Sequence, residues 1–142
     1  MSQPWLYDHR TNVTSQTGED GVLEKIFERI GIRSKWCVDL GAADGEFISN
    51  TYNLVHNQGW SGVMLEGSPQ QCGTLAERYA NRQDVTCMHE FVTVQNSLDH
   101  ILARTPTPHD LDLLSIDIDG MDLVIWKELA NYRPRVVVIE AN

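Results

Sequence analysis

Five short apolar runs punctuate the chain, and the segments between them carry apolar residues at helical spacing. Trp36–Leu40, Gly62–Glu66, Asp84–Val92, Leu111–Ile118 and Arg135–Ala141 are continuous rather than alternating in hydrophobicity. That pattern predicts strands buried on both faces, as in a parallel sheet. Val22, Leu23, Ile26, Phe27 and Ile30 predict a helix stopped by Gly31, with Thr17 and Asp20 as its reciprocal cap. Residues 49–58 read as a second helix. Ser68-Pro69 opens a third, reaching about Asn81, because a capping hydroxyl precedes a proline at the first helical position. Leu98, Ile101 and Leu102 predict a short helix broken by Thr105-Pro106-Thr107-Pro108, and Leu123, Val124, Trp126 and Leu129 the buried face of a last one. Residues 1–16 read as a polar N-terminal arm.

Strand–helix alternation predicts a doubly wound, mainly parallel α/β sheet in one domain spanning 1–142, with strand order 3-2-1-4-5. In that order Val136-Val137-Val138-Ile139, the most β-prone run, lies at an edge. Edges of this kind are normally covered. The expectation is therefore that further C-terminal strands are missing, or that a partner covers this one, most simply a second copy in a homo-oligomer.

Composition narrows the class. Of 142 residues, 42% are hydrophobic and 22% charged, an ordinary globular balance. Twenty acidic against 11 basic residues give a net charge of −9, so no basic face is expected to neutralise phosphates, and nucleic acid is not an expected partner. Three cysteines without a CxxC pair argue against a disulfide scaffold or zinc ribbon and fit a reducing cytoplasm. The start of the chain has no signal-peptide pattern, and no apolar run is long enough to span a membrane.

In doubly wound sheets the ligand lies beyond the carboxyl ends of the strands. After the first strand, Asp39-Leu40-Gly41-Ala42-Ala43-Asp44-Gly45-Glu46 has two glycines that allow a tight turn and close backbone approach to a ligand. It is not G-x-G-x-x-G, and Asp39, Asp44 and Glu46 disfavour a pyrophosphate while suiting a ligand with positive groups. After the second strand, Glu66-Gly67-Ser68 offers a carboxylate to ribose hydroxyls, or a merely solvated strand end. After the third, Glu90, Phe91, Val92 and Thr93 could cover an adenine ring with apolar groups and read its amino group with a polar one, though Phe91 is equally suited to the core. After the fourth stand Asp117, Asp119 and Asp122. Their carboxylates could bind a divalent metal, take a proton from a hydroxyl, or hold a sulfonium and ammonium ligand. Asp122 is better suited to capping the next helix. Gly120 stands at the fourth position of this loop, not the sixth, which excludes an EF-hand, and no histidine spacing supports zinc. Without G-x-S-x-G a hydrolase triad is disfavoured, and Cys37 and Cys87 read as packing residues.

Five stretches, in order, resemble the FkbM family of S-adenosylmethionine-dependent methyltransferases: Ser15–Asp20 (SQTGED), VDLGAADGEFISNTY (38–52), GWSGVMLEGSP (59–69), LLSIDIDGMDL (113–123) and RPRVVVIEAN (133–142). The resemblance implies a class I methyltransferase fold, S-adenosylmethionine as cofactor, and methylation of a hydroxyl on a sugar or small molecule. By position, it implies that Asp39, Gly41, Ala43 and Gly45, with Ala42 and Asp44 between them, form the first cofactor loop. Glu66, with Gly67 and Ser68, would take the ribose, and Ser49, Asn50 and Thr51 would lie near the methionine part. Gln16, Glu19 and Asp20 would close over the cofactor from the arm. Asp117 and Asp119 would face the methyl group and the acceptor, with Asp117 orienting or deprotonating the hydroxyl; a Mg²⁺ ion shared by the two is the less favoured alternative. The family continues to two more strands and has a glutamate where Asp119 stands here. The competing expectation is a truncated domain that binds cofactor, or serves structurally, without turnover and needs a partner.

Overall fold

The computed structural model describes residues 5–46, 49–118 and 120–139. A single 3₁₀ turn (Trp5–His9) precedes α1 (Glu19–Ile30), and β1 is Trp36–Leu40. A π-helical turn (Asn53–Asn57) leads to β2 (Ser61–Glu66), α2 (Pro69–Arg78) and β3 (Val85–His89). Then follow α3 (Leu98–Leu102), β4 (Leu113–Ile116), α4 (Asp122–Glu128) and β5 (Val136–Ile139). The five strands form one sheet, β3-β2-β1-β4-β5, with every neighbouring pair parallel.

Alternation along the strands divides the core in two. Val38, Leu40, Val63, Leu65, Leu114 and Ile116 face Leu98, Ile101, Leu102 and Ile125 of α3 and α4. Cys37, Met64, Leu113 and Val85 face Leu23 and Phe27 of α1, Leu54 and Val55 of the π turn, and Leu75 of α2. Both layers are apolar, so the strand sequences show no polar side. Asp112, fully buried just before β4, accepts from the backbone N–H groups of Arg33 and Lys35 and pairs with Arg135 at 2.7 Å, tying the amino ends of β1, β4 and β5 together.

Several expected elements differ. The cap of α1 is not Thr17: Gly18, at φ 95°, holds that position, and Thr17 bonds the Glu19 side chain instead. Asp20 turns back to accept from the N–H groups of Val13, Thr14 and Ser15 at 2.8–2.9 Å, so the arm is folded around a buried carboxylate. Residues 49–58 hold a π turn rather than a regular helix; Gln58 N–H is shared between the carbonyls of Asn53 and Leu54, and Trp60 N–H also returns to Leu54. The third strand ends at His89, three residues earlier than its apolar run, because Glu90–Thr93 bend into a loop held by Asn96. In α4 three of the four residues of the expected face turn outward, and only Leu129 among them packs on the core. Asp122 is buried and accepts from Ile118 and Gly120 N–H, which fixes the first turn, directs Ile125 inward and leaves Leu123, Val124 and Trp126 exposed.

Candidate active site

A cleft of about 900 Å³ opens beyond the carboxyl ends of β1, β2 and β4. Its floor is built by the strand ends themselves. Gly41 and Ala42 N–H both donate to the Leu65 carbonyl, and Asp117 N–H donates to Leu40, so the three strand ends stay in register as they enter their loops. At Gly41, φ is 84° and a Cβ would lie 2.0 Å from the Asp117 carbonyl oxygen. The close approach that requires this glycine is between two strands, although the residue also lines the cleft.

Glu66 is the hinge of the site. One carboxylate oxygen accepts from Ala43 N–H at 2.8 Å and the other from Ser68 N–H at 2.7 Å, so a single side chain sets the first and second loops against each other. Each oxygen retains acceptor capacity, and Glu66 lines the cleft. Phe91 is largely exposed; its ring lies so close over Gly67 that a Cβ there would meet it at 2.9 Å. It is a wall of the cleft mouth and not core. Glu90 reaches the cleft too, but its carboxylate is bound by Arg104 and Asn96, and the Arg104 hydrogen bond holds its pKa below the usual range.

At the opposite end Asp39 is buried and accepts from the Thr51 hydroxyl at 2.6 Å. Burial raises its pKa to about 6; the Thr51 hydrogen bond opposes that rise, and the charges of Asp117 and Glu66 add to it. Ser49 caps the turn behind it, accepting from Thr51 and Tyr52 N–H, and its carbonyl receives the Thr14 hydroxyl from the arm. Asn50 Nδ2 donates to Ser115 Oγ.

The cleft thus gathers Gln16, Asp39, Gly41, Ala42, Ala43, Ser49, Asn50, Glu66, Gly67, Ser68, Glu90, Phe91 and Asp117. Thr51 lies one layer behind, acting on Asp39. Asp44 and Gly45 do not line the cleft. The Asp44 side chain accepts from Glu46 N–H and its carbonyl from Arg78, while Gly45 turns toward α2, where a Cβ would meet Leu75 at 2.6 Å. The glycine expected at the ligand is therefore a packing glycine. Glu19 and Asp20 do not line this cleft either. Asp119 lies outside the described residues. Among the described residues no group of three His, Cys, Asp or Glu side chains could hold a metal ion, and no helix is long and apolar enough to cross a membrane.

Beyond the expected site residues the cleft is also lined by Gln71, Ser115 and Met121, and by Thr93 beside Glu90 and Phe91. Ser115 was within reach, since it is two residues before Asp117 and pairs in register with Asp39. Gln71 belongs to the first turn after the Glu66 loop. Thr93 and Met121 enter from irregular segments with no periodic signal.

No protein-family model and no curated protein matches this chain. Among solved structures it is similar to an S-adenosylmethionine-dependent methyltransferase from Thiobacillus denitrificans in complex with S-adenosyl-L-homocysteine, with TM-score 0.51 and 12% identity over 98% of this chain. The fold is class I methyltransferase-like. The chain spans 56% of the length of that protein. A putative protein-L-isoaspartate O-methyltransferase from Plasmodium falciparum, also in complex with S-adenosyl-L-homocysteine, is similar over 95% of this chain and 67% of its own, at 13% identity and TM-score 0.49.

Proposed function

We propose that this chain is an S-adenosylmethionine-dependent methyltransferase acting on a hydroxyl of a sugar or small molecule. The observation that carries the reading is Glu66, a strand-end carboxylate held by two loops and still able to accept from a diol, in a cleft of a methyltransferase-like fold. The donor set fits the cofactor. Glu66 would take the ribose hydroxyls, Phe91 would cover the adenine, and Asp39 and Asp117 offer negative charge toward the cationic end. S-adenosylmethionine, when bound, supplies an electrophilic methyl group on a sulfonium centre. The chain supplies position: Asn50, tied to Ser115, and Gln16 from the arm border the place where an acceptor would enter. Asp117 is the residue assigned to orient the acceptor hydroxyl and accept its proton.

Titration calorimetry with S-adenosylhomocysteine and with NAD tests the cofactor. Saturable binding of the first and none of the second is expected; the reverse overturns the reading. Cofactor binding without transfer of a labelled methyl group to any hydroxylated acceptor would favour the competing reading, a domain that needs a partner for turnover.

A further inference from the structure

A second, smaller cleft of about 160 Å³ adjoins the first. The arm supplies Gln16 and the first turn of α1 supplies Glu19; Val138 and Ile139 at the end of β5 give an aliphatic wall. Gln16, Asn50 and Asp117 line both clefts, so the two spaces meet across these three side chains.

The chemistry of the smaller space is one-sided. Its described lining contains carboxylates, amides, a hydroxyl and aliphatic carbon, and no Lys, Arg or His. Such walls hydrogen-bond hydroxyl groups and cover the C–H face of a ring, but give an anion nothing to pair with. Glu19 is fixed in place, accepting from the backbone N–H of Thr17 at 2.8 Å and from its hydroxyl. Although partial burial pushes its pKa up, the Thr17 bonds outweigh it and keep the acid below its usual range, hence charged at neutral pH.

We propose that this smaller cleft is the acceptor subsite, that it takes an uncharged polyhydroxylated ring, and that Glu19 is the specificity-determining residue that turns anionic acceptors away. The proposal rests on the methyl-transfer reading, and it moves Glu19 from the cofactor side, where the sequence resemblance put it, to the acceptor side.

The test is an amide chemical-shift titration of the whole chain with methyl glucoside and, separately, methyl glucuronide, its carboxylate counterpart. The glucoside is expected to move the Thr17, Glu19, Asn50 and Ile139 resonances; the glucuronide is expected to leave them in place. Glu19→Gln should strengthen glucuronide binding on the order of tenfold by removing like-charge repulsion. Thr17→Lys, which sets an opposite charge on the exposed rim, should act in the same direction and serves if Glu19→Gln does not fold. Equal response to both sugars in the unmodified chain, or response to neither, overturns the subsite. An unchanged preference in a folded Glu19→Gln variant overturns the role of Glu19. S-adenosylhomocysteine added to the same sample reports separately at Ala43 and Gly67; silence there overturns the cofactor reading, while the sugar comparison still decides the subsite.

Discussion

Asp39 and Glu66 both border the cleft, yet they are held differently and should respond differently to substitution. Glu66 satisfies two backbone donors, so Glu66→Ala leaves Ala43 and Ser68 N–H without a partner as well as removing the ribose acceptor. Calorimetry should show S-adenosylhomocysteine binding weakened by about 1–3 kcal/mol; unchanged affinity would remove Glu66 from the site. Asp39 is buried at a cost. Its folded pKa of about 6 stands above the unfolded value of 3.8, so the folded chain retains the proton more tightly. This contribution favours folding below the unfolded pKa and is lost as pH rises through about 6. Asp39→Asn keeps an acceptor for Thr51 and removes the buried charge, so it should stabilise the unliganded protein near neutral pH by about 1–3 kcal/mol in denaturant melts. A cationic ligand favours ionised Asp39. Its affinity should therefore fall as pH drops below about 6, and Asp39→Asn should flatten that dependence. A pH-independent affinity in the unmodified chain would separate Asp39 from the ligand.

Elements that alternate strictly or run continuously apolar were legible; those organised by single polar side chains were not. The five strands and their order follow from apolar runs and right-handed crossovers, and the register of β1 against β4 even brings Asp39 beside Ser115. The face that α4 buries depends on where one carboxylate, Asp122, finds its donors, and no periodicity of Leu123, Val124 and Trp126 carries that information. The same holds for the arm around Asp20. The candidate site was legible wherever a residue follows a strand directly, and lost where a glycine's role depends on its neighbour in space. Gly45 is the clearest case, since a ligand loop and a helix contact demand the same residue. At φ 85°, with Leu75 within 2.6 Å of an added Cβ, Gly45→Val should lower the melting temperature sharply or prevent folding. Any folded fraction should bind S-adenosylhomocysteine with ordinary affinity. A fully stable variant that has lost binding would return Gly45 to the ligand.

At the scale of the whole molecule the sheet is asymmetric in how its two edges are dressed. Against β3 pack α2 and its loops, and Cys87 is further held by the Leu75 carbonyl. At the other edge, Val136–Ile139 of β5 pair with β4 on one side, and all four residues are only half-buried. Of the two arginines that precede this strand, Arg135 is committed to Asp112 and to the carbonyls of Ile30 and Gly31. Of the described arm residues, Trp5–His9 packs on α1, with Arg29 over the Trp5 ring, and Gln16 reaches the small cleft at the end of β5. An aliphatic edge strand is a template for pairing. We propose that two copies meet through β5, antiparallel across a two-fold axis, which would extend the sheet through both subunits. Light scattering at tens of micromolar should give about twice the mass of one chain, and Val137→Lys should return it to one, because Val137 faces the α3–α4 layer near the edge, where a lysine is poorly accommodated. Since that substitution also threatens the core, Val137→Pro gives the independent check: Val136 N–H donates toward β4, to the Asp112 carbonyl, so the next donor, that of Val137, points to the open edge, and proline removes it without adding charge. A monomer in the unmodified chain, or a dimer that survives both substitutions in folded protein, would exclude β5 as the interface.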